Sequence, residues 1–265
     1  MIEKITSLQN PRIKNIIHLL KASERQKQNL IVVEGFREIS MAYKANFEIK
    51  ELYFSREVTI HPGSDDLMQQ LSPEVRIAEV TKAVFEKMAY RDNSDGLIAL
   101  VTPKYKKADD LILSSKPLVL VLESVEKPGN LGAMLRTSDA AALDAIIICD
   151  PQTDIYNPNV IRSSLGCVFT QQIITCGTTD ALSFLKSKGI KAYAAALTAT
   201  CFYHETDFNV PCAIVMGSEA NGLSNTWLKN ADEMVKIPMN GKVDSLNVAT
   251  SAAILIFEAK RQRGF

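Results

Sequence analysis

Continuous apolar runs, without the alternation of a half-buried strand, recur in the second half of the chain at Leu118–Leu122, Ala145–Cys149, Ala192–Ala196 and Pro211–Met216. Runs of this kind belong to strands covered on both faces, so the pattern predicts a parallel sheet with helices on both sides. Helix-compatible stretches lie between them, including Leu131–Leu143 and Thr179–Lys188, and the Ala-rich Ser245–Arg263 predicts a long final helix. In the first half, strand-like stretches at Leu30–Val33, Ile49–Phe54, Arg76–Val80 and Leu97–Val101 alternate with helical spacing over Arg37–Ala45 and Lys82–Met88. Near the start, Ile13, Ile16, Ile17, Leu19 and Leu20 have helical spacing, with Asn10 as N-cap and Pro11 in the first position. The fold class is α/β throughout.

A change of composition marks the division between the halves. The run ending in Ile98-Ala99-Leu100-Val101 gives way to Thr-Pro-Lys-Tyr-Lys-Lys, and a new apolar run begins after Pro117. This predicts a small α/β unit over 1–103, a solvated connector over 104–116 and a larger unit over 117–265. With 46% hydrophobic and 23% charged residues in 265, the chain has the profile of a soluble globular protein. No apolar run approaches the roughly 20 residues that cross a bilayer. The first residues lack the apolar core of a secretory signal, which points to a cytoplasmic protein with no membrane partner. Five cysteines without C-x-x-C spacing exclude a disulfide framework or a structural zinc site and indicate a reducing compartment. Cys149 and Cys212, at strand edges, read as small buried hydrophobes. His18, His61 and His204 stand apart, so no metal is expected.

Net charge is zero but unevenly spread. Residues 1–107 carry 17 Lys+Arg against 14 Asp+Glu, and residues 1–27 carry six (Lys4, Arg12, Lys14, Lys21, Arg25, Lys27) against two (Glu3, Glu24). A basic arm of this kind neutralises phosphates in nucleic-acid binders, although a solvated helix face has the same composition.

In open parallel sheets the chemistry gathers in loops beyond the strand carboxyl ends. Three such segments are rich in glycine and polar residues: 123–132, 217–224 and 237–247. Neither the dinucleotide fingerprint nor a P-loop is present. Singly, each reads as an ordinary turn. Together, Pro128-Gly-Asn-Leu-Gly-Ala-Met-Leu-Arg-Thr-Ser-Asp-Ala140, Ile214-Val-Met-Gly-Ser-Glu-Ala-Asn-Gly-Leu-Ser224 and Ile237-Pro-Met-Asn-Gly-Lys-Val-Asp-Ser-Leu-Asn-Val248 resemble the signature motifs of the SpoU (TrmH-type) branch of SPOUT-class RNA methyltransferases. Arg162-Ser-Ser-Leu-Gly-Cys-Val-Phe169 is a weaker fourth match. The resemblance covers about residues 118–263. Ile5–Lys14 and Val33-Glu-Gly-Phe-Arg37 resemble, less specifically, the family's L30e-like substrate-binding domain.

The resemblance implies 2′-O-methyl transfer from S-adenosylmethionine to a ribose of RNA, rRNA before tRNA, by a homodimer. Its catalytic sheet threads into a trefoil knot, a topology too rare to be read from periodicity. Carried over by motif, the catalytic residues are Asn130, Arg136, Glu219, Ser245 and Asn247, and the cofactor residues are Gly217, Ile237, Met239 and Leu246. No metal is implied. Chemically, a guanidinium at Arg136 suits a phosphate and a developing alkoxide better than it suits general-base work, because its charge is permanent. Without the motif, Arg136 would pair with Asp139 or Glu123 on a helix surface. Asn130 and Asn247 can orient groups, Glu219 can brace them, and Ser245 can bond the target and cap the last helix. Ile237 and Leu246 can sandwich an adenine, and Gly217 permits close backbone approach. Lys127 replaces a frequent Asp, Ala220 a frequent Gly, and Ala142 a Gly near the end of the first motif's helix. The competing reading is a non-catalytic RNA-binding ribosome-assembly factor on the same fold.

Overall fold

The computed structural model describes residues 2–58, 61–90 and 94–265. The chain forms two compact units, Met1–Lys104 with Ile155–Thr170, and Tyr105–Asp154 with Gln171–Phe265.

The first unit runs β1 (Glu3–Ile5), α1 (Pro11–His18), α2 (Ala22–Gln28), β2 (Ile31–Glu34), α3 (Phe36–Lys44), β3 (Ile49–Phe54), α4 (Ser64–Gln70), β4 (Arg76–Val80), α5 (Lys82–Met88) and β5 (Leu97–Val101). Its five strands are ordered β1-β4-β3-β5-β2, with β5 antiparallel to both neighbours. The cap expected of α1 is present: Asn10 Oδ1 accepts from the Arg12 amide at 2.9 Å, with Pro11 in the first turn. Ile13, Ile16 and Leu19 bury the apolar stripe of α1 and its end against Val80, Phe85 and Met88.

Part of the basic arm serves this unit itself. Arg12 donates to Glu3 at 2.7 Å, to Glu51 at 3.3 Å and to the Tyr53 hydroxyl at 3.0 Å. Arg25 is buried and donates to the carbonyls of Leu19 and Leu20 at 3.0 and 2.8 Å, closing the end of α1. Charge counting overstates what is left for an anionic partner by these two groups.

In the second unit the chain passes through β6 (Leu118–Glu123), α6 (Pro128–Ala140) and β7 (Ala145–Cys149). It then gives residues 155–170, with α7 (Pro158–Ser163), to the first unit. The sequence division assigns those residues to the C-terminal part. Their packing explains the difference: Gly166, at φ +84°, would place a Cβ 3.1 Å from the Glu38 backbone, and the rings of Tyr156 and Phe169 close on Phe47. The connector over 104–116 is largely exposed, as its composition predicts, and carries some order: Lys106 forms a parallel bridge with Ile174 and Ala108–Asp110 makes a helical turn.

The chain continues with β8 (Ile173–Cys176), α8 (Thr178–Ser187), β9 (Lys191–Ala195), β10 (Cys201–Phe202), β11 (Cys212–Met216), α9 (Asn225–Asn230), β12 (Glu233–Lys236) and α10 (Val248–Arg263). All seven strands are parallel, in the order β10-β12-β9-β11-β6-β7-β8. The apolar runs become β6, β7, β9 and β11 in the sheet's middle, and the fully buried Trp227 of α9 packs in the core over one face. Among the described residues no helix is long and apolar enough to cross a membrane, and no three His, Cys, Asp or Glu side chains group as metal ligands.

Candidate active site

The strand order reverses between β6 and β11: from β6 the chain moves outward to β7 and β8, then returns on the other side. A reversal of this kind leaves a crevice beyond the carboxyl ends of the strands. There the loops after β9, β11 and β12, together with residues 245–248, enclose a cavity of about 670 Å³. Its lining includes seven of the nine residues singled out in the sequence: Gly217, Glu219, Ile237, Met239, Ser245, Leu246 and Asn247.

Asn130, in the first turn of α6, joins this group through hydrogen bonds. Its Nδ2 donates to Glu219 Oε1 at 2.6 Å, and its Oδ1 accepts from Asn247 Nδ2 at 3.2 Å. Glu219 Oε2 accepts from the Glu126 amide at 3.3 Å. Asn247 Oδ1 in turn accepts from the amides of Ala249 and Thr250 at 2.9 and 3.4 Å and is the N-cap of α10. A carboxylate, two amides and a helix terminus thus form one line, which fixes each amide's orientation because each NH2 faces an acceptor and each oxygen faces donors. The line ties together residues 89 and 117 positions apart. Burial pushes the Glu219 carboxyl up, but hydrogen bonds from Asn130 and from the amides of Glu219, Glu126 and Lys127 outweigh it and hold it below its ordinary value. Glu219 is therefore a fixed anion and not a proton shuttle at neutral pH.

Gly217 is required by contact. A Cβ there would lie 2.1 Å from the Gly222 carbonyl carbon, 2.3 Å from its oxygen and 2.4 Å from the Leu223 nitrogen. The loop folds back so tightly because Ser218 and Gly222 exchange amide–carbonyl hydrogen bonds, both of 3.0 Å. Gly222 turns the chain at φ +65°. Ala220 keeps a negative φ and is accommodated on the cavity wall. Lys127 also lines the cavity.

Two expectations take a different form. The cap of the last helix is Asn247 and not Ser245, whose exposed hydroxyl donates to Asp244 at 3.1 Å, and the helix begins at Val248. Both residues are capping types two positions apart, and the apolar pattern cannot choose between them. Arg136 is exposed on α6, does not line the cavity, and has no hydrogen bond or ion pair among the described residues. Six residues beyond Asn130, it stands about 9 Å further along the helix and about 120° around it. One chain therefore does not bring Arg136 together with the other eight.

Glu123 has a role that spacing does not reveal. Buried at the end of β6, it accepts from Thr178 Oγ1 at 2.9 Å and from the Ser224 amide at 2.7 Å, pinning the far end of the 217–224 loop. Thr178 Oγ1 also lies 2.8 Å from Asp150 Oδ2. Asp139 accepts from Gln171, so neither acid pairs with Arg136.

Comparison with known proteins gives the same assignment for both parts of the chain. Residues 117–257 match the profile of the SpoU rRNA methylase family, and residues 10–99 that of an MRM3-like substrate binding domain. A 23S rRNA (guanosine(2553)-2′-O)-methyltransferase of Bacillus subtilis is 29% identical over 98% of this chain and 100% of its own length. A 23S rRNA (guanosine-2′-O-)-methyltransferase of Vibrio parahaemolyticus is 34% identical over 84% of this chain and 94% of its own. The crystal structure of an AdoMet-bound rRNA methyltransferase from Sinorhizobium meliloti superposes with a TM-score of 0.89 at 28% identity, covering 98% of each chain.

Proposed function

The chain belongs to the SpoU rRNA methylase family, and from that premise we propose that it transfers a methyl group from S-adenosylmethionine to a ribose 2′-hydroxyl of RNA, with rRNA ahead of tRNA as substrate. The observation that carries this reading is the Glu219–Asn130–Asn247 line, which joins three separate segments at the rim of one cavity. The cavity fits the donor: its volume lies within the roughly 300–1,000 Å³ of small-molecule sites, and Gly217 leaves the loop backbone bare beside it. Bound there, S-adenosylmethionine supplies the electrophilic methyl.

The chain's own residues then have separable tasks. Ile237 and Leu246 give apolar walls for the adenine, while Gly217 and Met239 offer main-chain groups, and Lys127 meets the donor's carboxylate tail. Asn130 and Asn247 are positioning residues, each with a second amide hydrogen left for the RNA backbone or ribose. Ser245, exposed on the rim, offers a hydroxyl to the target phosphate. Arg136, carried to the cavity by a second copy of the chain, neutralises the phosphate and the alkoxide that forms as the 2′-hydroxyl loses its proton. Replacing it (Arg136→Ala) lowers turnover by about a hundredfold or more and leaves donor affinity unchanged; near-normal turnover removes Arg136 from this role.

A homodimer is part of the same proposal. Its support is the exposure of Arg136 on α6, of Phe257 on the α10 helix that packs against it, and of Phe265 just beyond. A trefoil knot is proposed on the ground of the family match alone. The first unit, matched by the substrate-binding profile, takes the RNA. A reducing, cytoplasmic setting accords with five free cysteines. Mapping ribose methylation across rRNA and tRNA, with and without the gene, tests the whole reading. One or more 2′-O-methyl marks should vanish with the gene; an unchanged map would favour the non-catalytic assembly factor.

A further inference from the structure

We propose that Cys149 and Cys176 form an oxidisable dithiol, which closes to a reversible disulfide and slackens the loop that lines the donor cavity. The two residues are register partners at the last positions of β7 and β8, adjacent parallel strands. Side chains at paired positions share a face, and here both thiols border the same core cluster. Cys149 is fully buried, whereas Cys176 is partly exposed and open to a small oxidant.

The two thiols also share a hydrogen bond. It holds the proton on Cys149, whose buried thiol is pushed far up, and draws Cys176 below its ordinary value against partial burial and the nearby carboxylates of Asp180 and Asp150. The partly exposed sulfur is therefore the more reactive one.

The oxidant is hydrogen peroxide. The Cys176 sulfur attacks one peroxide oxygen, the O–O bond breaks, and a sulfenic acid and one water result. The Cys149 sulfur then attacks Cys176, the S–O bond breaks, and the departing hydroxide takes the Cys149 proton as a second water. In sum, two thiols and one hydrogen peroxide become one disulfide and two waters, with two electrons passing from sulfur to oxygen.

Closure has a mechanical consequence. Neighbouring strands lie about 4.8 Å apart, whereas a disulfide wants its Cβ atoms about 3.8 Å apart. The strand ends must draw together, and the resulting strain keeps the bond reducible. Asp150 directly follows Cys149, and Thr178 follows Cys176 by two residues; these are the groups that meet at Thr178 Oγ1 and reach Glu123. Glu123 holds the Ser224 amide at the end of the cavity loop. β7 lies between β8 and β6, so drawing the ends of β7 and β8 together shifts Asp150 and Thr178 relative to Glu123 and disturbs the bonds that orient this brace.

The test uses the full chain. It is treated with graded hydrogen peroxide, alkylated, digested and analysed by mass spectrometry for a peptide joining Cys149 to Cys176, before and after reduction. The linked peptide should appear, lighter by two hydrogen atoms than the separate peptides, and vanish with a thiol reductant. Its absence at peroxide levels that oxidise Cys176 to sulfinic acid would overturn the proposal. The loop coupling rests on the cavity being the S-adenosylmethionine site, so donor affinity is measured on reduced protein first. No binding there refutes the cavity assignment and leaves the disulfide result standing. Where binding occurs, oxidation should weaken it about fivefold, the equivalent of one brace hydrogen bond. It should do so in neither Cys176→Ser nor Cys149→Ala. An unchanged affinity on the linked protein would overturn the coupling.

Discussion

Replacing Gly217 by alanine tests how the cavity loop is built. The added Cβ would stand 2.1 Å from the Gly222 carbonyl carbon, where carbon atoms settle at about 3.5–4.0 Å. Gly222 must therefore retreat by about 1.4 Å or more. That displacement stretches both hydrogen bonds between Ser218 and Gly222 well beyond their 3.0 Å. At about 0.5–1.5 kcal/mol each, their loss costs about 1–3 kcal/mol before strain is counted. If the loop must regain its shape to hold the donor, Gly217→Ala weakens S-adenosylmethionine binding by roughly 5- to 150-fold. Titration calorimetry reads the affinity, and the fluorescence of Trp227, the chain's single tryptophan, reads whether the second unit still folds. Gly129→Ala is the control, because a Cβ there meets nothing within 4 Å. Wild-type affinity in Gly217→Ala would refute the reasoning, since the fold-back could then open without consequence for the ligand.

Further outcomes follow from the same geometry. Asn247→Ala removes the cap of α10 and one end of the amide line, and should destabilise the second unit by about 1 kcal/mol, read as a lower urea midpoint of Trp227 fluorescence. Ala142, just past the end of α6, has φ +47° at an exposed position. Ala142→Gly should therefore stabilise by about 1 kcal/mol in the same unfolding assay, and no gain would mean the left-handed backbone is not strained. Glu219 is held below its ordinary carboxyl value of 4.5, so its contribution is complete above that pH and fades as pH falls through the lower folded value. Wild-type stability should show this acid-side loss and Glu219→Gln should lack it; identical pH profiles would remove the anion from the brace.

How much of this was legible in the sequence depended on the length of the pattern and the distance of the partner. The all-apolar runs of the central strands were read to within a residue or two, Ala145–Cys149 and Leu97–Val101 to the residue, and the mixed Ile49–Phe54 and Arg76–Val80 also to the residue. Burial on both faces leaves no room for polar alternation, which explains why the signal is strong there. The short β1, β8 and β12 carry polar residues at the sheet's margins and gave no comparable run. Helix limits moved where two capping types competed, as at Ser245 and Asn247. The docking of residues 155–170 on the first unit depends on surfaces about a hundred residues away, around Glu38 and Phe47, that no local pattern encodes. The same holds for Glu123 and Ser224, 101 residues apart. The grouping of Asn130, Glu219 and Asn247 was legible only through resemblance to a family, and the separation of Arg136 from the cavity not at all.

The central claim is that the cavity presents a methyl donor to a ribose. Its most direct test is to incubate the reduced chain with methyl-labelled S-adenosylmethionine and RNA from cells lacking the gene, digest the RNA to nucleosides, and locate the label. The account predicts label in a 2′-O-methylnucleoside; label confined to a base, or no transfer by protein that binds the donor, would contradict it.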